Sequence, residues 1–121
     1  MDKDQALYTL WSSFGLPAYD ESSVPDYTEY PYITYSTSLS SLGNVVTLNA
    51  SLWYYSTSWT EASNKAKEIA EYVGLHKVLP LDNGYLYIVQ GSPFAQRMGD
   101  DTDDRIRRII INLQAEFLTA Y

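Results

Sequence analysis

The chain has 121 residues, 15 acidic against 8 basic side chains, a net charge of −7 and no cysteine. This length suits one domain spanning 1–121, able to bury roughly two-thirds of its unfolded surface without metal or disulfide staples. The missing thiols exclude structural zinc fingers, disulfide scaffolds, thiol nucleophiles and iron–sulfur clusters, and the acidic balance argues against tight, general DNA binding.

The amino terminus, Met1-Asp2-Lys3-Asp4-Gln5, is polar and leads into no apolar signal-type segment. No apolar run approaches the roughly 20 residues that span a bilayer, so a soluble chain with no membrane partner is expected. The first element is a short helix over about 4–14. Leu7, Leu10, Trp11 and Phe14 fall at i, i+3, i+4 and i+7 and form one apolar stripe, with Asp2 or Asp4 available as a cap and Gly15 and Pro17 as the stop.

Residues 15–31 read as a long loop with three prolines and with Asp20, Glu21, Asp26 and Glu29. A loop of that length is an ordered contact arm or a mobile surface segment. Residues 32–38 alternate Ile33, Tyr35 and Thr37 against Tyr32, Thr34 and Ser36, a half-buried strand. After a turn at 39–44, a second strand sets Val46, Leu48, Ala50, Leu52 and Tyr54 on one face and Val45, Thr47, Asn49, Ser51, Trp53 and Tyr55 on the other. The two strands are expected to pair as an antiparallel hairpin.

Ser58-Trp59-Thr60-Glu61 fits a capping box at the start of a second helix. Ala62, Ala66, Ile69, Ala70 and Val73 give that helix a narrow stripe of small residues, and Gly74 is placed as its C-cap. Strands at 76–81 and 85–90 then flank Asp82-Asn83-Gly84, a type I′ hairpin signal, with Pro80 marking an edge strand or bulge. An irregular acidic loop is expected at 92–104. A closing strand follows, with Ile109, Ile111, Leu113, Ala115 and Phe117 on one face. The predicted class is α+β in the order α-β-β-α-β-β-β, a mostly antiparallel sheet with both helices packed on one face.

Catalytic and metal-binding patterns are weak. His76 is the single histidine and follows a helix C-terminus, where a surface cation suffices to explain it. Asp100-Asp101-Thr102-Asp103-Asp104 lacks the Gly and Glu positions of an EF-hand in either register. No nucleophile elbow, P-loop or dinucleotide fingerprint is present. No catalytic residue, metal or cofactor is therefore assigned, and a non-enzyme is expected.

The informative population is aromatic. Of twelve Tyr and three Trp, eight lie in or beside a segment, 32–60, with no charged side chain. Some must fill the core, but Tyr27, Tyr30, Tyr32, Tyr35, Trp53, Tyr54, Tyr55 and Trp59 are together too many for one inward face. They form a candidate subunit interface, because Tyr and Trp offer large contact area with a polar tip.

The stretch 30–35, the run Ala50-Ser51-Leu52-Trp53-Tyr54-Tyr55-Ser56-Thr57-Ser58-Trp59 with its following helix, and the later segments 92–96 and 107–113 resemble the tail-completion or tail terminator proteins of long-tailed bacteriophages, also described as minor capsid or neck proteins. The likeness spans about 15–118. It implies a structural virion protein, made in the bacterial host cytoplasm and placed at the head-proximal neck of the tail. Its copies would form a homohexameric ring that stops tail-tube polymerisation and joins the tail tube protein to the head-completion or connector protein, with DNA passing through the lumen. Asp100, Asp101, Asp103 and Asp104 are candidate lumen or axial contacts, together with the 15–31 arm. Two alternatives stand beside this: a head-closure neck protein of the same virion, or a small glycan- or ligand-binding module.

Overall fold

A computed structural model of the protein describes residues 3–36, 45–82, 84–99 and 102–119. The elements are α1 (Lys3–Ser12), β1 (Ala18–Asp20), β2 (Tyr32–Tyr35), β3 (Val45–Tyr55), α2 (Thr60–Val73), β4 (Lys77–Leu81), β5 (Gly84–Met98) and β6 (Ile106–Thr119). The six strands form one mostly antiparallel sheet in the order β1-β2-β3-β6-β5-β4. The class is α+β with two helices, as the periodicity predicts, and one strand is added.

That added strand corrects the reading of 15–31 as loop throughout. Ala18–Asp20 pairs parallel with β2, Ala18 opposite Ile33 and Asp20 opposite Tyr35. Three residues carry no usable periodicity, so their conformation is imposed by the neighbour. The arm beyond is ordered by local bonds: Asp20 Oδ1 accepts from the Ser22 amide at 3.0 Å and from Ser22 Oγ at 2.8 Å, an Asx-type turn.

β2 and β3 pair antiparallel as expected, from Tyr32 opposite Trp53 to Tyr35 opposite Ala50. The proposed turn at 39–44 lies outside the described residues. β6 fills the centre of the sheet between β3 and β5. The expected loop at 92–104 is also corrected. β5 runs on to Met98, with a bulge between Gln90 and Ala95 that lets Ala95–Met98 resume pairing with Ile111–Arg108. At that bulge a Cβ on Gly91 would sit 2.7 Å from the Asn112 carbonyl oxygen, so no larger residue fits. β4 is an edge strand, which explains how Pro80 is tolerated.

Alternation along the strands decides which face is covered. Ile33, Leu48, Leu52, Leu86, Ile88, Ile111 and Leu113 all face inward and are fully buried. Leu7, Leu10 and Trp11 of α1 and Ala62, Ile69 and Val73 of α2 close over them in one core. α1 touches both β1 and β4, the opposite edges of the sheet. The sheet is therefore curled around the helices, as strand twist favours.

Helix termini differ in detail from the prediction. α1 stops at Ser12, where Ser12 Oγ donates to the Tyr8 carbonyl and Ser13 Oγ to the Leu10 carbonyl, each at 2.6 Å. Lys65 Nζ donates to the Phe14 carbonyl at 2.7 Å, tying α2 to the chain that leaves α1. The capping box does not form. Trp59 is the N-cap residue and makes no side-chain capping bond. Ser58 Oγ instead accepts from the Thr60 amide at 3.1 Å. At the other end Gly74 has φ 57°, and its amide donates to the Ala70 carbonyl.

Candidate docking surface

Among the described residues no helix covers the outward face of the sheet. Period-two alternation places Tyr19, Tyr32 and Thr34 there from β1 and β2, with Ser51, Trp53 and Tyr55 from β3 and Arg108, Ile110 and Asn112 from β6. Tyr32, Trp53 and Arg108 lie side by side across three strands. Tyr32 stacks on Trp53 at 6.1 Å with 14° between planes, and the Arg108 guanidinium lies 4.7 Å from the indole centroid. Tyr19 meets Tyr32 edge-on at 6.2 Å, and Tyr30 bridges Tyr32 at 5.4 Å and Tyr55 at 5.6 Å.

Directional bonds fix this array. Trp53 Nε1–H donates to Thr34 Oγ1 at 2.8 Å, and Arg108 Nε–H donates to Ser51 Oγ at 3.0 Å. Thr34 and Ser51 are the buried polar residues of the described chain, and these bonds satisfy them. Beside them runs a groove of about 370 Å³ lined by Glu21, Asn49, Gln96, Arg108 and Asn112. Burial, reinforced by nearby Tyr30, raises the Tyr32 phenol above its ordinary value.

A second cluster sits at the same end of the sheet, on its helix side. Trp59 lies between two guanidiniums, Arg97 at 5.1 Å and Arg107 at 5.2 Å from its ring. Arg107 is anchored by donation from Nε to the Ser56 carbonyl and from Nη2 to the Thr57 carbonyl, each at 3.0 Å. Arg97 Nη2 donates to Ser63 Oγ at 3.2 Å.

The eight aromatic candidates divide. Tyr27 is 100% exposed, Tyr30 and Tyr55 are exposed, and Tyr32, Trp53 and Trp59 are half-buried on these clusters. Tyr35 and Tyr54 are corrections: each is 5% exposed, on the inward parity of its strand, and belongs to the core. Burial, with Glu61 and Glu68 adding repulsion, pushes the Tyr54 phenol up to about 12. Tyr35 is raised by burial first and then by Asp20, Tyr8 and Asp4.

Asp100 and Asp101 lie outside the described residues. Asp103 Oδ1 accepts from the Arg105 amide at 2.9 Å, so this carboxylate shapes the turn into β6, and Asp104 is exposed. The candidates that reading by residue type missed are Tyr19 and the arginines. Arg107 and Arg108 are not among the candidates singled out above. Their signal was register, since Arg108 falls opposite Trp53 once β3 and β6 are aligned.

His76 is exposed and stacks on Tyr87 at 5.5 Å. Among the described residues no group of three or more His, Cys, Asp or Glu could hold a metal, and no helix is long and apolar enough to cross a membrane.

These features define a helix-backed sheet with one open, aromatic face. No protein-family model matches the sequence, and no curated protein matches it. Among solved structures the chain is similar to one from the virion of a native gene transfer agent particle. The TM-score is 0.62 at 13% sequence identity, over 96% of this chain and 94% of that one. At that identity the likeness is one of fold.

Proposed function

We propose that this chain is a structural protein of a phage-type virion, and within it a tail terminator. In this reading copies assemble into a ring, with six as the expected number, on the head-proximal end of the tail tube. The ring halts tube growth and offers its other side to the head connector, while DNA passes through the hole. The protein is not an enzyme and needs no cofactor.

The observation that carries the reading is the fold likeness, over nearly the whole of both chains, to a component of a gene transfer agent virion. The open sheet face supports it physically. A ring closes only through heterologous contacts, one patch of each copy meeting a different patch of the next. Pre-oriented aromatic rings and guanidiniums suit such a patch, because little side-chain freedom is left to lose on contact. Asp103 and Asp104 are placed in this reading toward the lumen or the axial neighbours, where negative charge keeps DNA from adhering.

The glycan-binding alternative finds less support. A sugar needs an open aromatic face, and Trp53 is flanked by Tyr32 on one side and Arg108 on the other. The head-closure alternative shares the same physics and differs in partner. Purified protein mixed separately with tail tubes lacking a terminator and with DNA-filled heads separates the two. Electron microscopy is expected to show capped tubes of fixed length. Binding to heads alone would move the assignment to head closure, and binding to neither would overturn the virion reading.

A further inference from the structure

Basic charge is unevenly spread along this chain, and its arginine group follows directly on Asp103 and Asp104. Between Lys3 and Lys65 there is no basic side chain, while the arm leaving β1 carries Glu21, Asp26 and Glu29. Arg97, Arg105, Arg107 and Arg108 all come together at the end of the sheet where β6 begins. Within the described residues the guanidiniums of Arg97, Arg107 and Arg108 contact indole rings, hydroxyls and carbonyls, and no carboxylate. Arg105 meets the Asp103 carboxylate through its backbone amide alone. A guanidinium stacked on an aromatic face keeps donors free for a planar carboxylate.

The arm is shaped to supply one. Asp26 and Glu29 are exposed on either side of Tyr27, which is 100% exposed and holds φ 61°. A left-handed tyrosine costs on the order of 1–2 kcal/mol, and here no burial of the ring offsets it within the chain. In its own molecule the arm lies on the outward side, where Tyr30 meets Tyr55 and Glu21 lines the groove beside Arg108. Arg97 and Arg107 have inward parity and lie with Trp59 on the helix side of the sheet.

We infer that the platform of Trp59, Arg97 and Arg107, with Arg105 two residues upstream, receives the acidic, tyrosine-tipped arm of a second copy of this chain. The contact is heterologous, arm to platform, and therefore repeats from copy to copy. It rests on the ring reading above in requiring that copies meet. It goes further by naming the two patches and the force between them. Being electrostatic, it weakens with salt.

A charge-exchange experiment tests it. One variant, D26K/E29K, makes the arm basic and leaves the platform intact. The other, R97E/R105E, makes the platform acidic and leaves the arm intact. All four side chains are exposed, so both variants are expected to keep the wild-type fold, checked by their melting curves. In sedimentation equilibrium at low salt the wild type is expected to self-associate. Each variant alone is expected to be weakened about a hundredfold, the scale of like charges brought together. An equimolar mixture is expected to recover association at 1:1 stoichiometry, with basic arm on acidic platform alternating with acidic arm on basic platform.

Folded variants that fail to pair, or that self-associate as the wild type does, would overturn the contact. A wild type that stays monomeric while the mixture also stays monomeric does the same. Recovery of the pair by a protein that caps no tail tube would keep the contact and remove the terminator assignment. Capped tubes indifferent to both charge reversals would do the opposite.

Discussion

The two faces of the sheet come from alternate residues of the same strands, yet they are held by different forces. The inward face is aliphatic, with Leu48, Leu52, Ile111 and Leu113 packed under both helices. The outward face is a mixture of rings, hydroxyls, amides and guanidiniums held by directional contacts. Hydrophobic burial is proportional to area and indifferent to orientation. Hydrogen bonds and stacking fix orientation and add little net stability. The chain thus stabilises itself through one face and keeps the other in a fixed, presentable geometry.

Substitutions divide along the same line. The largest effect is expected at Trp11, fully buried in the helix that spans both sheet edges. Trp11→Ala should lose about 3–5 kcal/mol in urea denaturation, the usual cost of emptying a large aromatic site. Tyr85, 55% exposed, is the control on the open side. Tyr85→Ala should stay within about 0.5 kcal/mol. Equal losses at the two sites would break the distinction between the faces.

Alkaline pH probes the covered face next. Tyr54 has its phenol pushed up to about 12 by burial and by Glu61 and Glu68. In the unfolded chain it ionises near 10. Below pH 10 both states hold the proton and the stabilising contribution is fully present. Between 10 and 12 the unfolded state has lost a proton that the native state keeps, so stability falls as pH rises. The fall attributable to Tyr54 is about 2–3 kcal/mol. Tyr54→Phe should flatten that part of the pH–stability curve, with Tyr32 and Tyr35, both raised, leaving a residual slope. An unchanged slope in the variant would assign the loss elsewhere.

The bulge in β5 joins the two faces and is expected to be less tolerant than its exposure implies. In Gly91→Ala the new Cβ meets the backbone of Asn112, 2.7 Å from its carbonyl oxygen, and backbone cannot rotate away. A loss of about 1–3 kcal/mol is expected from such overcrowding, read from the denaturation midpoint.

How much of this could be read beforehand depended on whether a segment advertises its own period. The stripe of α1, the small-residue face of α2 and the inward residues of β3 and β6 are all written as periodicity, and all of them but Ala70 are buried. β1 was illegible because three residues in a proline-rich arm adopt strand geometry only through their pairing with β2. The extension of β5 past Gly91 was masked by Ser92, Pro93 and Gln96, residues of loop character. Its indirect signal was a length mismatch: a 14-residue β6 needs more partner than a strand ending at Gln90 supplies. Among the aromatic candidates, Tyr35 and Tyr54 were assignable to the core by parity alone. The pairing of arginines with tryptophans was not, because it depends on register between distant strands.

The smallest expected effect tests the open face most closely. Trp53 donates its indole N–H to Thr34 Oγ1, a hydroxyl on the neighbouring strand that is 9% exposed. Trp53→Phe keeps a ring but leaves that oxygen without its donor, at a cost of about 1 kcal/mol. Thr34→Val keeps shape and removes the acceptor, stranding the indole N–H at a similar cost. Once either partner is gone the bond is already lost, so the double variant should cost less than the two single losses added together. The double-mutant cycle should therefore return a coupling of about 1 kcal/mol, outside the 0.3–0.5 kcal/mol within which independent sites add. Additive losses would mean that the hydrogen bond does not hold the ring, and that the array of Tyr32, Trp53 and Arg108 is positioned by stacking alone. In that case the open face would be softer than the geometry implies, and the argument that its side chains are already ordered before a partner arrives would lose its physical basis.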